Sequence, residues 1–150
     1  METLNAQTQD LKPYETSHAT IIHLSALSGY IGVPFGSILG PLITWLIWRK
    51  ESPFVDENGK EALNFNLSLW LYQFLAVILG VIMFLTPIIN IATSDNPDPI
   101  TLLFSIPGLW LYLGGFGLIS LYRLIMVIIA AVKAGDGEVF HYPLSIRFVK

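Results

Sequence analysis

The chain contains no cysteine among its 150 residues, which excludes disulfide bonds, cysteine-ligated metals and a thiol nucleophile. Charge is also scarce, because Asp, Glu, Lys and Arg make up 13% of the residues, against about 25% in a soluble domain. The formal charge of -3 excludes a polybasic nucleic-acid binder, so no nucleic-acid partner is expected. Hydrophobic residues reach 53%, with a mean hydropathy of +0.62. This composition indicates a membrane protein.

Three long runs contain no Asp, Glu, Lys or Arg, namely residues 16–48, 62–94 and 99–122. They contain 33, 33 and 24 residues, and a transmembrane helix needs about 20 apolar residues. We therefore predict an all-α polytopic membrane protein with the lipid bilayer as its first partner. The predicted parts are a polar N-terminal tail (1–15), a helical membrane domain of three spans (16–133) and a C-terminal tail (134–150).

The ends of the second and third helices can be predicted from turn and capping signals. Asn58 and Glu61 have the spacing of a capping box, which predicts that the second helix begins near Gly59 or Lys60. We expect it to continue to about Ile91. The third segment is predicted from about residue 100 to residue 132, after a short turn-rich link.

The lysines and arginines predict the orientation. The N-terminal tail carries Lys12, the first loop carries three basic residues, the second loop none, and the C-terminal tail three. We therefore place the loop 49–61 and the C-terminus in the cytoplasm, and the second loop outside. The expected location is the bacterial inner (plasma) membrane, with several membrane passes.

The first apolar run is too long for one straight span. Its 33 residues would form a helix of about 50 Å, against a hydrocarbon core of about 30 Å. The stretch from Gly32 to Gly36, which includes Pro34, predicts a break between residues 17–31 and 37–48. Two alternatives follow. Either the first piece lies at the interface, or the two pieces form a hairpin that returns the N-terminus to the cytoplasm and gives four membrane elements.

Small residues recur at every fourth position of the same run, at Ser28, Gly32, Gly36, Gly40 and Thr44. Small side chains let the backbones of membrane helices approach closely, and this proximity is what makes their contact favourable. The pattern predicts a helix-packing face. The competing interpretation is that glycine is simply common in membrane spans.

Polar residues mark the start of the second segment, among them Lys60, Glu61, Asn64 and Ser68. Lys60, Asn64 and Ser68 share one helical face by their spacing. One interpretation is the lining of a water-filled or peptide-accepting groove. The other, which we favour, is interhelical hydrogen bonding near the interface.

Arg123 is the one charge inside a long apolar stretch. If the third span ends at residue 122, the side chain snorkels at the cytoplasmic edge. If the span continues to residue 132, Arg123 lies inside the membrane and needs a partner. We predict Glu61 as that partner, because both residues belong to the cytoplasmic half.

No arrangement of residues indicates catalysis or cofactor binding. His18, His23 and His141 are scattered, and neither H-E-x-x-H nor G-x-S-x-G occurs. We therefore predict no enzymatic activity, no catalytic residue, no cofactor and no metal site, and interpret the histidines as ordinary polar residues.

Three segments, residues 23–30, 40–72 and 133–150, resemble the small uncharacterised prokaryotic membrane proteins grouped with the Tic-twenty-like family. That resemblance implies a helical bundle without catalytic residues, acting as a scaffold or subunit in protein translocation or membrane assembly. It also implies membrane protein partners or self-association. A small-solute channel or transporter subunit is the alternative, because interrupted helices often line binding sites. An intramembrane enzyme has the least support.

Overall fold

The computed structural model describes residues 11–93 and 99–150, and within them all regular structure is helical. This confirms the predicted all-α class. The elements are α1 (Pro13–Ser25), a 3-10 helix (Ala26–Ile31), α2 (Gly36–Trp48), α3 (Pro53–Thr93) and α4 (Pro99–Gly135). Most of the predicted N-terminal tail and of the predicted outer loop lies outside the described residues.

Two compact units share the chain. Unit one comprises the residues up to Leu69 together with Arg123–Lys150, and unit two comprises Trp70–Tyr122. Helices α3 and α4 each contribute to both units. All of α1, α2 and the C-terminal tail belongs to unit one.

The first apolar run forms a helical hairpin instead of a single span. Gly32 adopts a left-handed conformation (φ 88°) that ends the 3-10 helix, and Phe35 precedes α2 with φ 55°. Helix α2 contains 13 residues, which corresponds to about 20 Å and is too short to cross a hydrocarbon core of about 30 Å by itself. The run is therefore not one straight helix, and the predicted break at Gly32–Gly36 is present.

Helix α3 begins six residues earlier than predicted. Ser52 precedes it and accepts a hydrogen bond on Oγ from the backbone N–H of Val55 (3.3 Å), and Pro53 occupies the first helical position. Proline suits that position because the missing N–H has no intrahelical partner there. Asn58 therefore lies inside the helix and caps nothing, so the predicted capping box is wrong.

The core of unit one is formed by α1, α2 and the first turns of α3. Its buried residues are Ile22, Trp45, Val55, Ala62 and Leu63, and Val149 of the C-terminal tail packs against them. Gly59 allows this packing, because a Cβ there would overlap the indole ring of Trp45. The tail turns away from α4 at Gly137 (φ 81°) and folds back on unit one.

Two helical segments are long and apolar enough to cross a membrane, Pro53–Ile89 and Tyr112–Gly135. Only 6% of the most apolar part of the first, and 22% of the second, is buried inside the protein. The core helix of a soluble protein would be mostly buried. Their exposed apolar side chains therefore fit a lipid environment, which supports the predicted membrane location.

Candidate functional site

A buried polar cluster in unit one is centred on His23, whose side chain is 0% exposed. Asn58 Nδ2 donates to the backbone carbonyl of Phe54 (2.9 Å), so its Oδ1 is the atom that accepts from His23 Nε2 (3.0 Å). The hydroxyl of Tyr142 then donates to His23 Nδ1 (2.9 Å). A neutral imidazole with its proton on Nε2 satisfies every one of these contacts.

Burial fixes the protonation states of this cluster. Desolvation lowers the pKa of His23 from 6.5 to about 4, against the opposing effects of the Asn58 hydrogen bond and the charge of Glu61. Burial and the same carboxylate raise the pKa of Tyr142. At neutral pH, His23 is therefore uncharged and Tyr142 remains a hydrogen-bond donor.

Glu61 lies at the edge of the cluster and contacts the C-terminal tail. His141 Nδ1 lies 2.9 Å from Glu61 Oε1, and a guanidinium nitrogen of Arg147 lies 3.8 Å from the same oxygen. The predicted pair between Glu61 and Arg123 is therefore wrong, because the tail folds back along α3 and brings its own basic groups to the carboxylate. Sequence spacing alone gave no indication of this return.

Arg123 is buried within unit one, with 8% of its surface exposed. Its electrostatic neighbour is Tyr30, at the end of the hairpin. The structure thus places Arg123 inside the fold instead of at an exposed edge, so the snorkelling alternative does not describe it.

The polar face of α3 binds the backbone of the tail. Asn64 Oδ1 accepts from the N–H groups of Phe148 (3.0 Å) and Val149 (2.8 Å), and Asn64 Nδ2 donates to the carbonyl of Val149 (2.9 Å). Ser68 Oγ accepts from the N–H of Ile146 (2.7 Å) and donates to the carbonyl of Asn64 (2.6 Å). At Asn64 and Ser68 this polar face therefore bonds the chain's own C-terminal tail.

Lys60 is not among the residues that form these contacts with the tail. Its ammonium group pairs with Asp56 one turn earlier on α3, at 2.6 Å. Trp45 Nε1 also donates to Asp56, at 2.9 Å, which ties α2 to the start of α3. Of the three polar residues predicted to share a face, two therefore bind the tail and one belongs to an ion pair near the surface.

The stripe of small residues lies where α1 and α2 meet. A Cβ at Gly36 would stand 2.7 Å from the Ser28 hydroxyl, and one at Gly40 would overlap the backbone carbonyl of Ser25. Ser28 Oγ also donates to the carbonyl of Gly36 (2.9 Å), and Thr44 Oγ1 lies 3.3 Å from Ser25 Oγ. Gly32 lies in the turn, with no neighbour within 4 Å of a Cβ built there. The stripe is therefore divided between the two arms of the hairpin.

These groups satisfy one another by hydrogen bonds, and the arrangement is suited to fixing the tail and the hairpin against α3. Within the described residues, no group of three or more His, Cys, Asp or Glu side chains could hold a metal ion. Sequence reasoning missed His23, Asn58, His141 and Tyr142 as members of one site. A histidine in a charge-free run, which needs a buried partner, was the signal that could have indicated them.

The comparisons with known proteins give one family. The MamF/MmsF model, described as the magnetosome magnetite crystal formation protein family, matches residues 14–149. This match overturns the resemblance to the Tic-twenty-like family, which rested on residues 23–30, 40–72 and 133–150. Neither the curated proteins nor the solved structures gave a match.

Proposed function

The chain belongs to the magnetosome magnetite crystal formation protein family, and we propose that it acts in magnetite crystal formation as a membrane protein without enzymatic activity. The observation that carries this proposal is the extent of the match, which covers residues 14–149 of the 150. The role is structural: unit one holds a fixed arrangement of helices and tail at the membrane of the compartment in which the crystal grows. A function in protein translocation is not proposed, because its only support was the other family.

Two features of the structure support a membrane-bound structural role. The most apolar parts of the segments Pro53–Ile89 and Tyr112–Gly135 present apolar side chains outward, as lipid requires. The polar face of α3, which first suggested a solute path, is occupied by residues 146–149. This occupancy favours a scaffold over a channel.

We also propose that the loop after α2 and the C-terminal tail lie on the same side of the membrane. The end of α2 and the tail both contact the start of α3, which follows that loop: Trp45 donates to Asp56, and His141 pairs with Glu61. The distribution of lysine and arginine makes that side the cytoplasmic one.

The test is complementation in a magnetite-forming bacterium that lacks its own members of this family. Expression of the chain should shift the distribution of crystal lengths, measured by electron microscopy, and the protein should be recovered in the membrane that surrounds the crystals. The Gly40→Ala variant, which should be strongly destabilised because the added methyl group would overlap the carbonyl of Ser25, serves as the negative control. Unchanged crystals in cells whose crystal membrane contains the folded protein would refute the proposed function.

A further inference from the structure

The turn of the α1–α2 hairpin, here called the tip (residues 30–35), is apolar and exposed. Ile31 is 82% exposed, and Tyr30, Val33 and Phe35 are also exposed. No Asp, Glu, Lys or Arg occurs from residue 16 to residue 48. An exposed apolar patch of this kind in a structured turn marks a surface that contacts something other than water.

The apolar surface continues from the tip along α2. Leu39, Ile43, Leu46 and Ile47 of α2 are exposed, while Gly36 and Gly40 pack against α1. These exposed side chains extend the apolar surface of the tip down to the last turn of α2.

Several backbone groups at the tip and just after it are paired within the hairpin itself. The N–H groups of Val33 and Gly36 donate to the carbonyls of Ser28 (3.3 Å) and Val33 (3.0 Å), and the N–H groups of Ile38 and Leu39 both donate to Phe35 (2.9 Å each). The hydroxyl of Ser28 binds the carbonyl of Gly36. Internal pairing of this kind is what a bilayer demands of a segment that enters it, because hydrocarbon offers no hydrogen bonds.

Charge is confined to the opposite end of the hairpin, here called the base. Lys12 and Glu15 begin α1, and Arg49, Lys50 and Glu51 follow α2. His18 joins the two arms at the base, because its ring stacks on Trp48 (4.1 Å) and its Nδ1 lies 2.6 Å from Glu51. The antiparallel arms thus separate a charged base from an apolar tip.

We propose that this hairpin enters the bilayer from one side, buries its tip in the hydrocarbon and returns without crossing. The second arm, α2, is about 20 Å long, which is enough to enter a core of about 30 Å and too short to traverse it. The bilayer is the occupant of the apolar face. Residues near the start of α1 consequently lie on the same side of the membrane as the start of α3. The inference rests on the membrane location in the proposed function.

The first experiment tests the side on which each end of the hairpin lies. Because the chain has no cysteine, single substitutions Ser17→Cys and Glu57→Cys report one position each, and both side chains are exposed. In sealed vesicles of one orientation, an impermeant thiol reagent should label both variants or neither. Labelling of only one of the two would show that the segment crosses the membrane and would overturn the hairpin.

The second experiment tests the depth of the tip. Ile31→Cys and Leu79→Cys, both exposed apolar positions, are labelled with an environment-sensitive fluorophore in vesicles that contain lipids with nitroxides on their acyl chains. Both positions should show a blue-shifted emission and strong quenching, whereas Glu57→Cys should show neither.

The outcomes separate this inference from the membrane location on which it depends. Quenching at Leu79 without quenching at Ile31 would refute insertion of the tip and leave the membrane location intact. The absence of quenching at both positions would refute the membrane location, and the proposed function with it.

Discussion

The two units of the chain differ in whether they bury polar side chains. Unit one buries several polar or charged side chains, among them His23, Asn58, Glu61 and Asn64, and connects them by hydrogen bonds to α3 and to the tail. Among the described residues of unit two no polar or charged side chain is buried, and large apolar side chains such as Leu79 and Leu118 are exposed. Polar side chains are thus buried and hydrogen-bonded in the first unit, whereas large apolar side chains are exposed in the second.

This difference implies different sources of stability. Apolar helices in a membrane gain little from contact with one another over contact with lipid. We therefore expect the described part of unit two to tolerate small changes at most positions, except where Gly80 contacts the ring of Tyr112. Unit one depends on close backbone approach and on hydrogen bonds with fixed directions, so single-atom changes at its contacts should be costly.

The largest effect is expected from alanine at Gly40. The added methyl group would overlap the carbonyl of Ser25, and the hairpin would have to separate, at a cost of about 3 kcal/mol or more in the free energy of unfolding. Among the described residues, no atom lies within 4 Å of a Cβ built at Gly117 in unit two, so Gly117→Ala should be neutral or stabilise α4 by up to about 1 kcal/mol. Thermal unfolding in detergent measures both. Equal losses for the two glycines would contradict the contrast between the units.

A second large effect should appear on acidification. The unfolded chain protonates His23 below its ordinary pKa of 6.5, whereas the folded chain keeps it neutral down to about 4. The contribution of His23 to the free energy of unfolding is therefore fully present above pH 6.5. It is lost as the pH falls to about 4, by a total of about 3 kcal/mol.

Unfolding in detergent between pH 7 and pH 4 measures this loss. Carboxylates also titrate in that range, so the control is the His23→Gln variant. That variant should be less stable at pH 7 and should lose less stability on acidification than the unmodified protein. An identical slope for both proteins would show that His23 does not carry the effect.

Much of the architecture could be predicted, because hydrophobic periodicity and charge-free runs are local properties. The all-α class, the break at Gly32–Gly36 and the limits of α4 all follow from such signals. The start of α3 was missed because Asn58 and Gly59 are typical of turns, while the tertiary contacts of Asn58 with His23 and of Gly59 with Trp45 favour a helix there. Tertiary packing outweighed local preference at these two positions.

The site could not be predicted as a whole, because its members are far apart in the chain. His23 and Tyr142 are 119 residues apart, and Asn64 and Val149 are 85 apart. The polar spacing of Asn64 and Ser68 predicted a common face and an unknown partner. The partner is the tail backbone, which carries no side-chain pattern that could have indicated the pairing.

A moderate effect is expected from Asn64→Leu. The substitution removes three hydrogen bonds to the tail, two from backbone N–H groups and one to a carbonyl, and should cost about 2 kcal/mol. Residues 146–150 should also become more sensitive to carboxypeptidase, measured by mass spectrometry. Unchanged stability together with unchanged digestion would show that Asn64 does not hold the tail.

The smallest effect is expected at Asn66, two positions along the same helix and equally buried. Its Nδ2 donates to the carbonyl of Ala62 within α3 (2.8 Å), but its Oδ1 has no hydrogen-bond partner among the described residues. A buried acceptor without a partner is costly, so Asn66→Leu removes a penalty while it keeps the volume of the side chain. The stability should stay the same or rise by about 1 kcal/mol. Asn64→Leu introduces the same side chain two positions earlier on α3. The difference in stability between the two variants therefore separates the tail contacts from the change in volume and polarity. If Asn66→Leu instead destabilises as much as Asn64→Leu, its Oδ1 has a partner of its own in the folded protein. The buried hydrogen bonds of unit one would then extend beyond the cluster around His23.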